Sequence, residues 1–427
     1  MPNFPKFSFP EITAPIIPTF GEFFADGALI DLVRAEKNGH PQLVLWDGTS
    51  ETVGQSVLYD GRRYVPAQID FSVLRELALP SQCSPHGTTR EFLAEICELI
   101  KSFVALDAKS AQLIGRMVLC SHLIEGLPVA PTVMIIGPDI ARGNRLVEVL
   151  RCLCRHSLSL TGVTPAALCA LPSSAGFTLL INQRNLSSKL LRLLDDASNR
   201  GRKIPYRGRL LDLFGVTVIH TFDGDEGSLR AVPISMIPSD QELPAFDLDV
   251  QRQITEEFQA KLLNFRRVNL AAARCLRFST SKFSSPLRDL AWSLAAATPD
   301  DQQSQEEVFD LLQDVDAQIR SETLVDFSAI AVESLLVACK ENQSVEAFAR
   351  VSDLAQIATE LLKRRGGEAS AELGGFGKRL KSLGFTTERD AEGKKLRLTE
   401  AVRKHIQQLA LNLGLAGSGN GAPDAKA

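Results

Sequence analysis

The chain has 427 residues, long enough for two or three domains that each bury a core. Its 44% hydrophobic and 23% charged content excludes a disordered or fibrous chain, and a net charge of −4 gives no whole-chain attraction for nucleic acid, so any such contact has to be local. No apolar run approaches the ~20 residues that span a bilayer and no leader pattern stands at the start, so the expectation is a cytoplasmic protein without membrane contact. The eight cysteines sit in apolar helical patterns, which suits reduced, buried thiols.

Five prolines in residues 1–20 predict an extended arm, because prolines at that density exclude a helix. Residues 21–85 alternate short apolar runs with turns, and Asp60-Gly61 between two such runs is a hairpin signal, so this stretch is predicted as a small β-rich module. A helix over 89–106 follows from Phe92, Ile96, Leu99, Ile100 and Phe103 at helical spacing, with Thr88 or Thr89 as its N-cap. A second helix covers 108–124. Strands at 133–136, 158–160, 177–181 and 215–221 then alternate with helices at 144–155, 164–170 and 186–198, and a further short strand lies in the stretch SLRAVPISM; such alternation predicts a mostly parallel sheet covered by helices. Long helical patterns from about 249 to 297 follow, then 299–307, an acidic, Gln-rich link or helix start, and a last helical region from about 325.

The stretch VMIIGPDIARGNRLVEVL has the strand, loop and helix outline of a phosphate-binding P-loop, G-x-x-x-x-G-K-[ST]. Anchored on Gly143, it puts Asn144 where the Lys belongs and Arg145 where the hydroxyl belongs; the first Gly position falls on Pro138, with Gly137 one residue early. The partner motif, an apolar strand ending in Asp-Glu, is represented by a strand ending in Asn182 and Gln183. An amide offers oxygen to a metal but cannot neutralise Mg²⁺ or take a proton from water. Arg142 and Arg145 are the cations able to stand in for the missing Lys.

The order of these segments, with TPAAL after the second strand, NRGRKIPYRG after the helix that follows the Asn182-Gln183 motif, and an arginine, Arg230, before the last strand, resembles the ATPase module of phage- and plasmid-type primase-helicases, over about residues 90–415. The resemblance implies an AAA+-like P-loop fold, a degenerate nucleotide site at Gly137, Pro138, Arg142, Gly143, Asn144, Arg145, Asn182, Gln183, Thr221 (near the sensor position) and Arg230, and a protein able to form homo-oligomers. With the Lys, the hydroxyl and both acids replaced, no catalytic residue and no cofactor is expected; the alternatives are an unorthodox ATPase that binds ATP and Mg²⁺ through its arginines and a protein-binding adaptor. Cys152, Cys154 and His156 are not expected to form a metal site, since positions i and i+2 of a helix face apart.

The C-terminal region predicts a winged helix-turn-helix: helices at 351–362 (with Ser352 as cap) and 372–382, strands at 385–387 and 395–398 around a turn at 390–393, and a closing helix at 401–413. Residues 374–404 hold nine basic against four acidic side chains, and Lys378, Arg379, Lys381, Arg389, Lys394, Lys395 and Arg397 are the candidates for contact with duplex DNA. Arg202, Lys203, Arg207 and Arg209, interleaved with Tyr206, form a second basic cluster. The predicted architecture is therefore α/β: a Pro-rich arm (1–20), a β-rich module (21–85), a degenerate P-loop core with a parallel sheet (86–240), a helical lid or linker (241–322), a winged-helix domain (323–415) and a disordered tail (416–427).

Overall fold

A computed structural model of the protein describes residues 14–35, 40–172, 176–221, 231–238, 241–341, 347–365, 375–391, 393–413 and 415. The predicted tail, Arg230, residues 1–13 of the predicted arm and residue 392 of the predicted wing turn lie outside them. The chain divides into two compact units, 1–280 with 289–311, and 281–288 with 312–427. Among the described residues no helix is long and apolar enough to cross a membrane.

The first unit begins with two small sheets. Ile16–Thr19, inside the predicted arm, is a strand that pairs in parallel with Arg62–Pro66, which pairs antiparallel with Val57–Tyr59. Asp60 (φ 48°) and Gly61 (φ 68°) make the turn of that hairpin, both left-handed as the twist of the flanking strands requires. The second sheet is an antiparallel run of Gly21–Phe23, Leu29–Arg34, Pro41–Trp46 and Glu51–Gly54.

The centre of the unit is a five-stranded parallel sheet built from β1 (Thr132–Ile136), β2 (Ser157–Leu160), β3 (Thr178–Asn182), β4 (Thr217–His220) and β5 (Val232–Ser235), in the order β5-β1-β4-β3-β2. Strands covered on both faces have to be apolar throughout, which is why VMII and TLLI carry no polar alternation. Helices α1 (Thr89–Val104), α2 (Ala108–His122), α3 (Ile140–Leu153), α4 (Ser188–Ala197) and α5 (Leu248–Arg274) belong to the same unit. Thr88 and Glu91 form a reciprocal capping box at the head of α1. The N-terminal sheets and the central sheet share one core, in which Ile30, Leu43, Val57 and Tyr64 meet Leu158, Phe177, Ile181, Leu190 and Ile219. From β1 the chain runs to the far edge at β2, returns through β3 to β4, then crosses β1 to β5, so strand order reverses between β1 and β4; in open α/β sheets ligands bind at the carboxyl ends of strands at such a point.

Helix α5, in the predicted lid, lies along α3, and its Gln259 donates to the carbonyl of Cys152 at 2.8 Å, beside the end of α3 remote from β1. The predicted Gln-rich link begins α6 (Gln302–Val325).

The second unit contains α7 (Phe327–Glu341), β6 (Phe348–Arg350), α8 (Val351–Arg364), α9 (Phe376–Ser382), β7 (Glu388–Asp390), β8 (Gly393–Arg397) and α10 (Glu400–Asn412), with sheet order β6-β8-β7. The wing strands lie at 388–390 and 393–397 instead of the predicted 385–387 and 395–398, because Phe385 and Leu398 are drawn into the core with Phe327, Ile330, Leu354, Phe376, Leu380 and Ile406. Strand β6 was not predicted; it leads straight into α8, so Arg350 takes the N-cap position expected for Ser352 and the helix has no side-chain cap.

Candidate functional site

The loop at the switch point is built by two glycines with different duties. Gly137 has φ 126°, and a Cβ there would stand 2.4 Å from the Met236 carbonyl oxygen; the Met236 N–H in turn donates to the Ile136 carbonyl at 2.6 Å. Only glycine lets the chain leave β1 this close to the segment that follows β5. Gly143 lies in α3, where a Cβ would fall 2.2 Å from Nε2 of His220 at the end of β4. The imidazole thus occupies the space that the missing side chain leaves, and burial lowers its pKa, which favours the neutral ring.

Helix α3 begins at Ile140, four residues before the predicted start at 144. The cause is Asp139, whose carboxylate accepts from the Arg142 N–H at 3.0 Å and caps the helix, while the Gly143 N–H donates to the Asp139 carbonyl at 3.0 Å. Three residues, 137–139, therefore join strand to helix. Residues 140–143, which in a P-loop arch around phosphate, form the first helical turn, and the positive end of the helix is met by the protein's own carboxylate.

Most of the remaining positions are engaged by the protein's own groups. Arg142, 7% exposed, holds Asp139 at 3.0 Å and donates to the Gln241 carbonyl at 2.8 Å. Arg145 turns away from the loop to the Pro244 carbonyl (2.9 Å) and over the Phe246 ring (5.3 Å). Asn144 accepts from the Asn182 amide at 2.7 Å, so the two residues at the Lys and Asp motif positions bind each other. Gln183 accepts from the Val163 N–H at 2.7 Å and donates to the Asn185 carbonyl at 2.7 Å, and the Thr221 hydroxyl donates to the Arg184 carbonyl at 2.8 Å. Pro138 is exposed. Among the described residues no group of three or more His, Cys, Asp and Glu could hold a metal ion; Cys152 and Cys154 are buried, and burial pushes the Cys154 thiol up to about 12.

A second constellation was not legible in the sequence. Asp31 of the N-terminal module lies between Arg155 (2.8 Å), after α3, and Arg266 (2.8 Å) of α5, and both arginines also reach Glu125 at 3.2 and 2.6 Å. Burial opposes ionisation of both acids, but the guanidiniums overcome it, holding Asp31 well below the usual carboxylate range and Glu125 at about 2. His122 donates to the Leu153 carbonyl at 3.0 Å, and burial lowers its pKa to about 3. Two cations and two anions balance here, and four segments, at 31, 125, 155 and 266, are tied at fixed positions.

In the second unit the candidate DNA-contacting side chains fall on two faces. Lys378, Arg379 and Lys381 are exposed on α9, and the Lys394 Nζ lies beside that helix, 3.9 Å from where a Cβ on Gly377 would stand. Lys395 and Arg397 alternate with the buried Leu396 and lie 4.3 and 5.9 Å from the Phe348 ring centroid, with Lys395 also 3.0 Å from Asp390. Arg389 is exposed on β7. The other basic cluster is a hairpin in the first unit, Ile204–Tyr206 with Arg209–Leu211, turned at Arg207 (φ 46°) and Gly208 (φ 75°).

No family model and no curated protein matches the chain. Among solved structures, the A-form apo structure of the NrS-1 C-terminal region is similar over 86% of this chain and 96% of that one, at 10% identity and a TM-score of 0.35; a second structure of that region gives 86%, 95%, 11% and 0.34. A full-length MCM homologue from Methanopyrus kandleri is similar over 68% of this chain and 77% of that one, at 10% identity and a TM-score of 0.34. The likeness is distant.

Proposed function

We propose that the protein is a catalytically degenerate relative of AAA+-type ATPases that binds duplex DNA through its C-terminal winged helix and serves as a DNA-binding or scaffold component in replication or maintenance of a mobile element. The observation that carries the first half is the Asp139 cap: an anion already holds the head of α3, and the residues of a phosphate cradle are wound into helix. Phosphate entering there would displace a carboxylate and unwind a turn, with no Lys to compensate. The second half rests on the exposed Lys378, Arg379 and Lys381 of α9, cations placed to neutralise phosphates.

Two titrations test the halves separately. A labelled ATP analogue is expected not to bind in the micromolar range with or without Mg²⁺; Mg²⁺-dependent binding and turnover would overturn the degenerate reading. Duplex DNA is expected to bind with a steep salt dependence, and reversal of Lys378, Arg379 and Lys381 to Glu to weaken it by about 10²-fold or more and flatten the salt slope by about three. Unchanged binding by that variant would remove the DNA reading.

A further inference from the structure

The basic run that looks like one patch in sequence is divided by the pleat of β8. Lys394 and Leu396 fall on one side of the strand, Lys394 beside α9 and Leu396 in the core, while Lys395 and Arg397 fall on the other. The register places Arg397 opposite Phe348 and Lys395 opposite Arg350 across the β6–β8 ladder, with the buried Ala349 between them pointing the opposite way. The outer face of this sheet thus carries an aromatic ring, 40% exposed, and three cations within two rows of the ladder, against Glu388 opposite Lys395 and Asp390 paired with it.

We infer that this outer face binds an unpaired nucleotide of single-stranded DNA adjoining a duplex, with Phe348 as the stacking surface and Arg350, Lys395 and Arg397 as contacts to its phosphates. Every base has an apolar face that stacks on an aromatic ring whatever its sequence; the Lys395 ammonium, which lies over the Phe348 ring at 4.3 Å, would move from the ring to the phosphate as a base stacks there, and the neighbouring arginines hold the strand by its backbone. A duplex keeps its bases stacked on each other, so an exposed ring on a sheet discriminates for unpaired bases, whereas α9 contacts only the charge that both forms share. The three-residue length of β6 limits the platform to one or two nucleotides. This rests on the reading that the second unit binds DNA, and it adds a junction preference to it.

The test is fluorescence anisotropy with the full-length protein on a blunt duplex and on the same duplex bearing an overhang of about ten thymidines. The overhang is expected to bind about tenfold tighter than the blunt end. Phe348→Ala should abolish that preference while leaving blunt-duplex affinity unchanged, and Phe348→Tyr, which keeps the ring, should restore it. Circular dichroism of each variant reports whether the wing still folds. Equal affinity of the native protein for both probes, or a preference that survives in Phe348→Ala, overturns this inference alone; binding to neither probe overturns the DNA reading beneath it as well.

Discussion

Arg116, Arg155 and Arg266 of the first unit are 0, 4 and 0% exposed and are surrounded by acceptors, while Lys378, Arg379 and Lys381 of the second unit stand in solvent. Arg116 donates to the Ser304 carbonyl at 2.6 Å and to Thr298 at 3.2 Å, and Arg155 and Arg266 share Asp31 and Glu125. A charge withdrawn from water is tolerated only when its partners are fixed, so it ties segments together and has little field left for a ligand. A charge left on the surface adds little to stability but keeps its attraction for a partner. By that criterion the candidate nucleotide loop belongs with the interior of the first unit: Asp139 with Arg142, and Asn144 with Asn182, are closed pairs.

The largest effect should come from opening the buried cluster. Asp31→Ala leaves Arg155 and Arg266 short of a partner and is expected to destabilise the first unit by about 3–5 kcal/mol, measured by urea unfolding, whereas Lys381→Ala in the second unit should change stability by no more than about 0.5 kcal/mol. Equal effects of the two would erase the contrast between the units.

The same cluster sets a pH dependence. Glu125 has its folded pKa depressed from 4.5 to about 2, so its contribution is complete above 4.5 and is lost as pH falls through about 2; Asp31, also depressed, behaves alike. His122 has its folded pKa lowered from 6.5 to about 3, so the unfolded chain takes up the proton first and stability declines as pH drops below 6.5. His122→Gln is expected to make the pH–stability curve of the first unit shallower from about pH 6.5 down to about 3, most clearly above 4.5 where the carboxylates do not titrate, and to leave the carboxylate contribution to the acid limb. An unchanged upper limb would show that His122 is not the group responsible.

Much of the scaffold is legible because its signals are local. The apolar runs of β1 and β3, the threonine cap of α1 and the Asp60-Gly61 turn each fit within a few residues. The candidate site is less legible because its causes are distant or were masked by a stronger pattern. Gly143 resembles the second glycine of a phosphate loop, yet the contact that excludes a side chain there is with His220 on another strand. Asp139 before an amphipathic run is itself an N-cap signal, but the outline of a phosphate loop in the same stretch points to a helix start four residues later. Asp31 and Arg266 are 235 positions apart, beyond any periodicity, and β6 is three residues long, too short to show one.

The packing of His220 on Gly143 gives a smaller, sharper test. Gly143→Ala places a methyl group where the imidazole stands and should destabilise by about 1–3 kcal/mol despite the better helix propensity of Ala. In a His220→Ala background the clash is gone, and the same substitution should stabilise by up to about 1 kcal/mol. A double-mutant cycle with no coupling would mean that the ring is not what holds the position to glycine.

The smallest expected effect is the most informative about the loop. Asn144→Lys with Asn182→Asp restores the two charged residues that the P-loop motif places there and replaces an amide pair with an ion pair between the same positions, now 2.7 Å apart. If those residues alone limited the chemistry, Mg²⁺-dependent phosphate release from ATP would appear. The geometry predicts none above background, because Asp139 still caps α3, residues 140–143 remain helical and Gln183 stays bound to Val163. Phosphate release in this variant would place the defect in the two side chains; its absence, with stability within about 1 kcal/mol of native, leaves the defect with the backbone that Asp139 winds into helix together with Arg145 and Gln183, the two motif positions still unrestored.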